Sequence, residues 1–181
     1  MQLNWQRINF ANFIAGPARQ RKLFRVSVSP PNPESFLLPL DRLLCLDLYS
    51  TSRAVTKAYR PYLEKLGLTY PQYLVMTALW EQSPLGVKDL SAKLSLDSGT
   101  LSPLLKRLEA AKLVRRTRGT EDEREVAISL TTEGAAMRKE SRTVCEGMFP
   151  RFGLTPEKAV ELQQTLRKIR QLMEADEPSE N

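Results

Sequence analysis

The feature that most restricts how this chain can fold is the pattern of apolar residues between positions 87 and 130. Apolar residues at helical spacing over 87–94 are followed by a tight turn and a second helical stripe, formed by Leu101, Leu104, Leu105 and Leu108. Two β-prone runs, 113–117 and 126–130, then flank a charged segment. Short helices and a hairpin in this order are typical of a winged helix-turn-helix. We therefore expect a mainly α fold with a winged helix-turn-helix (α+β), DNA-binding unit at residues 83–130.

The second of these helices, predicted over residues 98–112, has side chains suited to double-stranded DNA. Small hydroxyl residues in its first turns suit base edges, and the basic residues that follow suit phosphates. Between positions 104 and 118 there are six basic residues and one acid. The candidate DNA contacts are Ser98, Thr100, Ser102, Lys106, Arg107, Arg116, Arg118, Asp122 and Arg124. Arg124 is the candidate for the minor groove, where acids such as Asp122 would orient its guanidinium. Each basic residue alone is more simply a solvated surface charge, so this prediction rests on the whole set.

Cys45 stands on another predicted helix, residues 40–66, among tyrosines at informative spacings. Tyr49 lies one turn away, and Tyr59 and Tyr70 follow the cysteine by fourteen and twenty-five residues. Fourteen helical residues return to nearly the same face but span about 21 Å, so the Tyr59 phenol cannot reach the thiol of its own chain. In an antiparallel homodimer, Tyr59 of one subunit can approach Cys45 of the other.

Phenols beside a cysteine have a chemical consequence. A thiol reacts as the thiolate, and hydroxyl donors around the sulfur favour that charged form. A thiolate of limited access is a candidate for oxidation by peroxide to the sulfenic acid. On spacing alone a simpler alternative stays open, in which Cys45 is a buried structural cysteine among aromatic core residues.

The rest of the sequence is organised around these two features. Residues 1–35 bear arginines and almost no acids, and we expect a disordered or arm-like extension; an organelle presequence, a DNA-contacting arm and sequence ahead of the functional start are alternatives. Residues 36–174 form the expected winged-helix domain, and its helices at 40–66 and 131–173 carry apolar faces for dimerisation. Residues 175–181 form an acidic tail.

Local signals mark the ends of the helices. Gly67 is predicted to end the first helix, and Thr69 is predicted to begin a helix that runs to position 81. Asp97 or Ser98 is the expected cap of the helix that would read DNA. Thr155 is the expected start of the last helix.

Composition limits the other classes of function. The formal net charge is +6, of which +5 lies in residues 1–33, so a basic surface elsewhere must come from clustering. The chain has no histidine and two cysteines, so we expect no metal, no cofactor and no histidine-based catalysis. No apolar run approaches the ~18 residues needed to cross a bilayer. We therefore expect a cytoplasmic protein that is not an enzyme and has no membrane partner.

Four segments of this sequence resemble the MarR family, and within it the organic-hydroperoxide resistance regulators. They are LCLDLYSTSR at 44–53, GLTYPQY at 67–73, LDSGTLSPLLKRLE at 96–109 and EDER at 121–124. The resemblance implies a homodimeric bacterial repressor that leaves an inverted-repeat operator when organic hydroperoxide oxidises a cysteine.

The same resemblance implies roles for particular residues. By position, Cys45 would be the peroxidatic thiol, and Tyr59 and Tyr70 would be hydrogen-bonding phenols from the partner subunit. In the two-cysteine regulators of this group a late cysteine closes an intersubunit disulfide with the first, and Cys145 is placed for that role.

Two rival functions remain open at this point. One is a MarR-type repressor released by a small aromatic ligand, with Cys45 as a bystander. The other is a thiol peroxidase, which the sequence does not favour because no histidine or metal-ligand cluster accompanies the cysteine. The operator sequence, the regulated genes and the preferred hydroperoxide do not follow from the sequence.

Overall fold

A computed structural model of the chain describes residues 39–118 and 126–175. In chain order its elements are α1 (Leu44–Leu63), α2 (Tyr70–Glu81), β1 (Leu85–Gly86), α3 (Val87–Leu94), α4 (Ser98–Ala110), β2 (Val114–Arg118), β3 (Val126–Leu130), α5 (Thr132–Met148) and α6 (Pro156–Ala175). The predicted class, a mainly α fold with a winged helix-turn-helix, is confirmed. The predicted N-terminal extension, the hairpin tip and nearly all of the acidic tail lie outside the described residues.

The chain divides into two compact units, Met1–Val144 and Cys145–Asn181. The described part of the first unit contains α1 to α4, the sheet and most of α5. The described part of the second contains the end of α5, a 3-10 turn at Phe149–Phe152 and α6. The domain boundaries expected from the sequence stay predictions. None of the described helices combines the length and the apolar character that spanning a bilayer requires.

Helix α2 lies at the centre of the first unit. It contacts α1, α3, α4 and β3, and seven of its twelve residues are buried. A helix that is apolar on most sides must be covered on most sides, so the other elements of the unit pack around it. The buried apolar residues of the first unit are Leu63, Leu68, Tyr73, Val75, Met76, Ala78, Leu79, Trp80, Leu85, Leu90, Leu101, Leu105, Leu108, Leu113, Val114, Ile128 and Val144.

Helices α2, α4 and α5 start at side-chain caps, which the sequence predicts in part. The backbone N–H and the hydroxyl of Thr69 both donate to Gln72 Oε1, at 2.8 and 3.0 Å, so a capping box opens α2. Asp97, not Ser98, caps α4. The cap of α5 is Thr131, whose hydroxyl oxygen accepts from the backbone N–H three residues on.

Three segments of the first unit end at a residue with positive φ, and only the first is a glycine. Gly67, Ser95 and Lys112 have φ of 66°, 51° and 58°. In each case the next residue donates its N–H to a carbonyl five residues back, as in the Schellman motif. The left-handed conformation of Lys112 ends α4 at Ala110, two residues before the predicted end.

The helix predicted as one segment over residues 40–66 has three parts. Leu43 is extended (φ −80°, ψ 107°) and separates a 3-10 turn, Leu40–Arg42, from α1. A second 3-10 turn, Glu64–Leu66, tightens the end of α1 before Gly67. The Cys45 to Tyr59 stretch is nevertheless one unbroken α-helix, which is the part of the prediction that the site depends on.

The sheet has three antiparallel strands in the order β1-β3-β2. The predicted wing strands are confirmed as β2 and β3, while β1 was not expected from the sequence. A two-residue strand carries no periodicity of its own, and it exists because Leu85 and Gly86 pair with Ile128 and Ala127.

At Gly134 the start of α5 approaches the loop after α4 too closely for a side chain. An ideal Cβ there would lie 2.0 Å from the carbonyl oxygen of Leu113. The same carbonyl accepts from the N–H of Thr131, and Trp80 Nε1 donates to the carbonyl of Gly134 at 2.8 Å. The glycine therefore ties α2, α5 and the start of β2 together.

We expect Gly134→Ala to lower the free energy of unfolding. Replacing a glycine by alanine inside a helix usually raises this free energy by about 1 kcal/mol, so the expected effect has the opposite sign. The Cβ must displace a hydrogen-bonded backbone carbonyl, and such overpacking costs ~1–3 kcal/mol. Urea unfolding followed by circular dichroism measures the difference. Ala135→Gly, an exposed neighbour on α5, is the control and should cost only the helix-propensity difference. Unchanged or increased stability of Gly134→Ala would contradict this account of the close approach.

Candidate functional site

The first turns of α4 present the small polar residues that the sequence assigned to base contact. Ser98 and Thr100 are exposed and Ser102 is half-buried. Lys106 and Arg107 are exposed further along the helix. The buried stripe of Leu101, Leu105 and Leu108 fixes which side of α4 faces outwards. Thr100, Lys106 and Arg107 lie away from this stripe, whereas Ser98 continues it and is exposed at the first position of the helix.

The cap of α4 also orients Thr100. Asp97 Oδ1 accepts the backbone N–H of Thr100 at 2.7 Å, and Asp97 Oδ2 accepts its hydroxyl at 2.7 Å. These hydrogen bonds from Thr100 hold the pKa of Asp97 below its usual range. Because the hydroxyl proton is committed to Asp97, the oxygen of the exposed Thr100 can act only as an acceptor towards a further partner. An acceptor suits the exocyclic amino groups of cytosine and adenine in the major groove.

Arg116 differs from the other predicted DNA contacts. Its Nη2 donates to the carbonyl of Ser102 at 3.2 Å, and its Nε lies 3.3 Å from Glu109 Oε2. Its backbone N–H donates to Glu109 Oε1 at 3.3 Å. The side chain is 25% exposed. The guanidinium therefore joins β2 to α4, while its predicted contact with DNA stays a prediction.

The remaining wing residues are described only in part. Arg118 is the last residue of β2. Asp122 and Arg124 lie outside the described residues, so their roles stay predictions.

The structure brings together the two phenols predicted to act on a thiol. Tyr59 near the end of α1 and Tyr70 at the start of α2 have ring centroids 4.8 Å apart, and Tyr73 lies 5.9 Å from Tyr59. Burial raises the pKa of Tyr70 above its usual value. That phenol therefore keeps its proton over the pH range in which thiols ionise, and it can act as a hydrogen-bond donor.

Cys45 lies in the first turn of α1 and is exposed in the single chain. The helix is continuous to Tyr59, so about 21 Å of axis separate the thiol from the phenol pair of its own chain. One turn after Cys45, the exposed Tyr49 accepts a hydrogen bond of 2.9 Å from Arg53 Nη1, whose guanidinium also lies 5.5 Å from the Tyr49 ring centroid. Sequence reasoning missed Arg53, although its spacing of four residues from Tyr49 could have indicated the pair.

A groove runs beside the phenol pair. Its volume is 690 Å³, and it is lined by Ser52, Arg53, Thr56, Lys57, Arg60, Leu63, Glu64, Leu68, Thr69, Tyr70 and Pro71. Three basic residues from α1 lie on its rim, and Arg60 pairs with Glu64 at 2.7 Å. The groove combines a basic rim, two apolar leucines and the Tyr70 phenol.

The second unit carries Cys145 and an uncovered apolar surface. The Cys145 side chain is exposed. No residue of α6 is buried, and four apolar residues on one side of the helix, which we call the α6 face, range from 40% to 66% exposure: Leu162, Leu166, Leu172 and Met173. Leu162, Leu166 and Leu172 belong to the apolar face that the sequence predicted for dimerisation within residues 131–173. The surface is of the kind that isolated chains of oligomeric proteins expose.

Glu109 is the functional candidate that sequence reasoning missed. It is the one acid among six basic residues in its segment, and in the structure its carboxylate meets two groups of Arg116. Only the register of β2 against β3 brings the two residues together, so their spacing of seven along the chain gives no signal by itself.

The chain is similar to known transcriptional regulators. The family model described as transcriptional regulator SarA/Rot matches residues 57–140. The organic hydroperoxide resistance transcriptional regulator of Bacillus subtilis (strain 168) is 44% identical over 137 residues, which cover 76% of this chain and 91% of that protein.

Solved structures of AbfR of Staphylococcus epidermidis are also similar. Reduced AbfR bound to DNA has a TM-score of 0.60 at 32% identity, covering 72% of this chain and 90% of that one. Overoxidised AbfR bound to DNA has a TM-score of 0.61 at 33% identity, covering 72% and 91%. The disulfide form has a TM-score of 0.53 at 36% identity, covering 70% and 88%. With these relatives the resemblance carried by the sequence motifs is confirmed, and the chain belongs to the MarR family of transcriptional regulators, in the group of the organic hydroperoxide resistance regulators.

Proposed function

We propose that this protein is a homodimeric, redox-sensing transcriptional repressor that releases an inverted-repeat DNA operator when an organic hydroperoxide oxidises Cys45. The observation that carries the proposal is the phenol pair of Tyr59 and Tyr70, held at 4.8 Å beside an open groove and about 21 Å along one helix from an exposed thiol. A chain with this geometry needs a second copy to bring the sulfur and the phenols together.

The DNA-binding part of the proposal rests on α4 and the wing. Two recognition helices related by a two-fold axis would enter successive major grooves, with Ser98 and the oriented Thr100 towards base edges. Lys106 and Arg107 would meet phosphates. Reduced and overoxidised AbfR are both solved bound to DNA, which supports DNA as the partner of this chain as well.

The dimer part of the proposal rests on uncovered apolar surface. The α6 face and the exposed Leu40, Leu44 and Tyr49 near the start of α1 have no cover within the described chain. A second copy packed antiparallel along α1 would cover the start of α1 and bring it towards the groove of the partner. Asp41 and Asp47, which flank Cys45, would then face a groove rim with Arg53 and Lys57.

The proposed chemistry has two balanced steps. The Cys45 thiolate attacks the terminal oxygen of the hydroperoxide, the O–O bond breaks, and the sulfenic acid and an alkoxide form; the alkoxide takes a proton from water and leaves as an alcohol. The phenols favour the thiolate before attack by hydrogen bonding to the sulfur, and Tyr70 remains protonated because burial raises its pKa. The thiol of Cys145 of the second subunit then attacks the sulfenic sulfur, an S–S bond forms and water leaves.

Disulfide closure would release DNA through geometry. A disulfide requires Cα atoms within ~7 Å, so two cysteines that start farther apart must be drawn together with their helices. The lower TM-score to the disulfide form of AbfR, 0.53 against 0.60 for the reduced form, is in line with a rearrangement of that kind in a relative. Losing the fit at both half-sites removes several kcal/mol of specific binding, which is enough for release.

Cys45→Ser is expected to keep binding operator DNA under cumene hydroperoxide, whereas the unmutated protein dissociates. Serine cannot form the sulfenic acid, so the trigger is absent. The measurement is fluorescence anisotropy on a duplex selected from a random-sequence library by the unmutated, reduced protein. Release of Cys45→Ser at the unmutated rate would reject the thiol trigger.

Cys145→Ser is the companion variant and separates the two chemical steps. It is expected to be oxidised at Cys45 but to form no covalent dimer on a non-reducing gel, because the attacking thiol is missing. A covalent dimer that persists in this variant would assign the disulfide to Cys45 alone.

Tyr59→Phe and Tyr70→Phe are each expected to slow the oxidation of Cys45 at pH 7 by roughly tenfold, since a hydrogen bond to a charged group contributes about 1.5 kcal/mol. Losing the donor disfavours the thiolate form of Cys45, so the rate deficit should shrink as the pH is raised. Stopped-flow oxidation across pH measures this, with Tyr62→Phe on α1 as the matched control. A deficit that is the same at every pH would argue for a packing effect instead.

An alternative function has one specific observation in its favour. The groove beside Tyr70 has a basic rim and apolar leucines, which suits a small aromatic acid. Titration of phenolic acids against the operator complex at constant reductant tests it, and release that also occurs in Cys45→Ser would support ligand control without thiol chemistry.

A further inference from the structure

We propose that Arg116 is a positioning residue that fixes the wing to the recognition helix, and that Glu109 is its partner in this role. The inference rests on the proposed DNA-binding function. It changes the role of Arg116 from a contact with DNA to a strut between two parts that contact DNA. The group that holds the strut together is the Glu109 carboxylate.

The register of the sheet turns Arg116 inwards. Arg116 is directly opposite Ile128 in the β2–β3 pair, and opposite residues of an antiparallel pair share a face. Ile128 is fully buried, and Val114, two residues before Arg116 on the same face, is buried as well. The neighbours Arg115 and Thr117 belong to the other face and are exposed. Of the two adjacent arginines, only Arg115 is therefore presented to the outside.

Along α4 the strut spans two turns. Ser102 and Glu109 are seven residues apart, so they lie on the same side of the helix and about 10 Å apart along its axis. The Arg116 guanidinium reaches the Ser102 carbonyl through Nη2 at 3.2 Å and Glu109 Oε2 through Nε at 3.3 Å. A planar, forked cation is the side chain that can hold two acceptors at fixed positions at once.

Glu109 also closes the edge of the sheet. In the order β1-β3-β2, one side of β2 has no neighbouring strand among the described residues. The N–H of Arg116 points to that side and donates to Glu109 Oε1 at 3.3 Å. One carboxylate thus meets both the backbone and the side chain of the same residue, which fixes the position of β2 as well as the direction of the guanidinium.

The strut is partly removed from water, which is why its loss has consequences. Arg116 Nε has essentially no solvent-accessible surface, and its nearest acceptor is Glu109 without the alignment of a hydrogen bond. Removing the carboxylate would leave a partly buried cation without its charged partner, so the guanidinium would turn outwards and the wing would lose its fixed angle to α4. The wing tip would then miss the groove that it is proposed to enter.

The experiment compares Glu109→Met, Arg116→Met, Arg115→Met and the two double variants that combine Glu109→Met with each arginine substitution. Arg115 is the matched control because it is the adjacent arginine on the outer face of the same strand. Affinity for a duplex selected by the unmutated protein is measured over a range of salt concentrations, and amide hydrogen exchange of the free proteins is followed at Arg116.

The direction in which Glu109→Met changes the affinity for DNA decides whether Glu109 acts as part of the strut or only as a negative charge near DNA. Glu109→Met removes a negative charge from a DNA-facing region, so simple electrostatics predicts tighter binding. The strut predicts roughly tenfold weaker binding, as expected for the loss of a charged hydrogen-bonding partner. It also predicts that Arg116→Met weakens binding without changing the salt slope, and that the double variant of Glu109 and Arg116 is no weaker than the worse single one. Arg115→Met should combine additively with Glu109→Met.

Two results would overturn the strut. One is unchanged or tighter binding by Glu109→Met. The other is a salt slope that falls by about one in Arg116→Met, which marks a direct phosphate contact. If Arg116→Met fails to fold, Glu109→Met still decides. If the unmutated protein selects no DNA sequence, the proposed function fails, and amide exchange at Arg116 then decides the strut by itself: faster exchange in Glu109→Met supports it and unchanged exchange rejects it.

Discussion

The burial of α2 is the constraint on which the rest of the first unit depends. The helix contacts α1, α3, α4 and β3, so the helix with Cys45 and the helix with the candidate base contacts pack on the same core. Close-packed interiors shift between discrete arrangements and do not deform smoothly. We therefore expect a displacement of α1 to move the first unit as a whole, including α4.

Local chemistry made much of the fold predictable. Thr69, Asp97 and Gly67 mark helix ends because capping hydrogen bonds and left-handed glycine act within a few residues. Lys112 occupies a left-handed position at which glycine is usual. The left-handed conformation costs about 1 kcal/mol, and burial of the following Leu113 in the core offsets this cost. The strand β1 was missed for the opposite reason, since it is defined only by a partner more than forty residues away.

The candidate site was predictable in its components and not in its orientations. Spacing along one helix sufficed to separate Cys45 from Tyr59, and the approach of Tyr70 to Tyr59 follows from the tight turn at Gly67 between α1 and α2. By composition alone, Arg115 and Arg116 are equivalent basic residues next to the recognition helix. A shift of one residue in a strand reverses the face, and only the pairing with Ile128 decides which arginine points inwards. The sequence likewise shows Glu109 only as one acid in a basic segment, because its contacts with Arg116 arise from the packing of β2 against α4.

The two halves of the mechanism constrain each other. If Asp97 fixes the start of α4 and Arg116 fixes the wing to α4, each DNA-binding unit is a single rigid piece. Oxidation then cannot act by loosening one contact within a unit. Oxidation must instead change the distance and angle between the two DNA-binding units of the proposed dimer. The proposed thiol site, with its sulfur from one subunit and its phenols from the other, would lie where such a change is made, because any movement that reorganises it moves the two subunits against each other. In the proposed mechanism, rigidity within each DNA-binding unit would allow a small displacement at Cys45 to change the spacing of the two units at the DNA, where a half-site spacing tolerates little error.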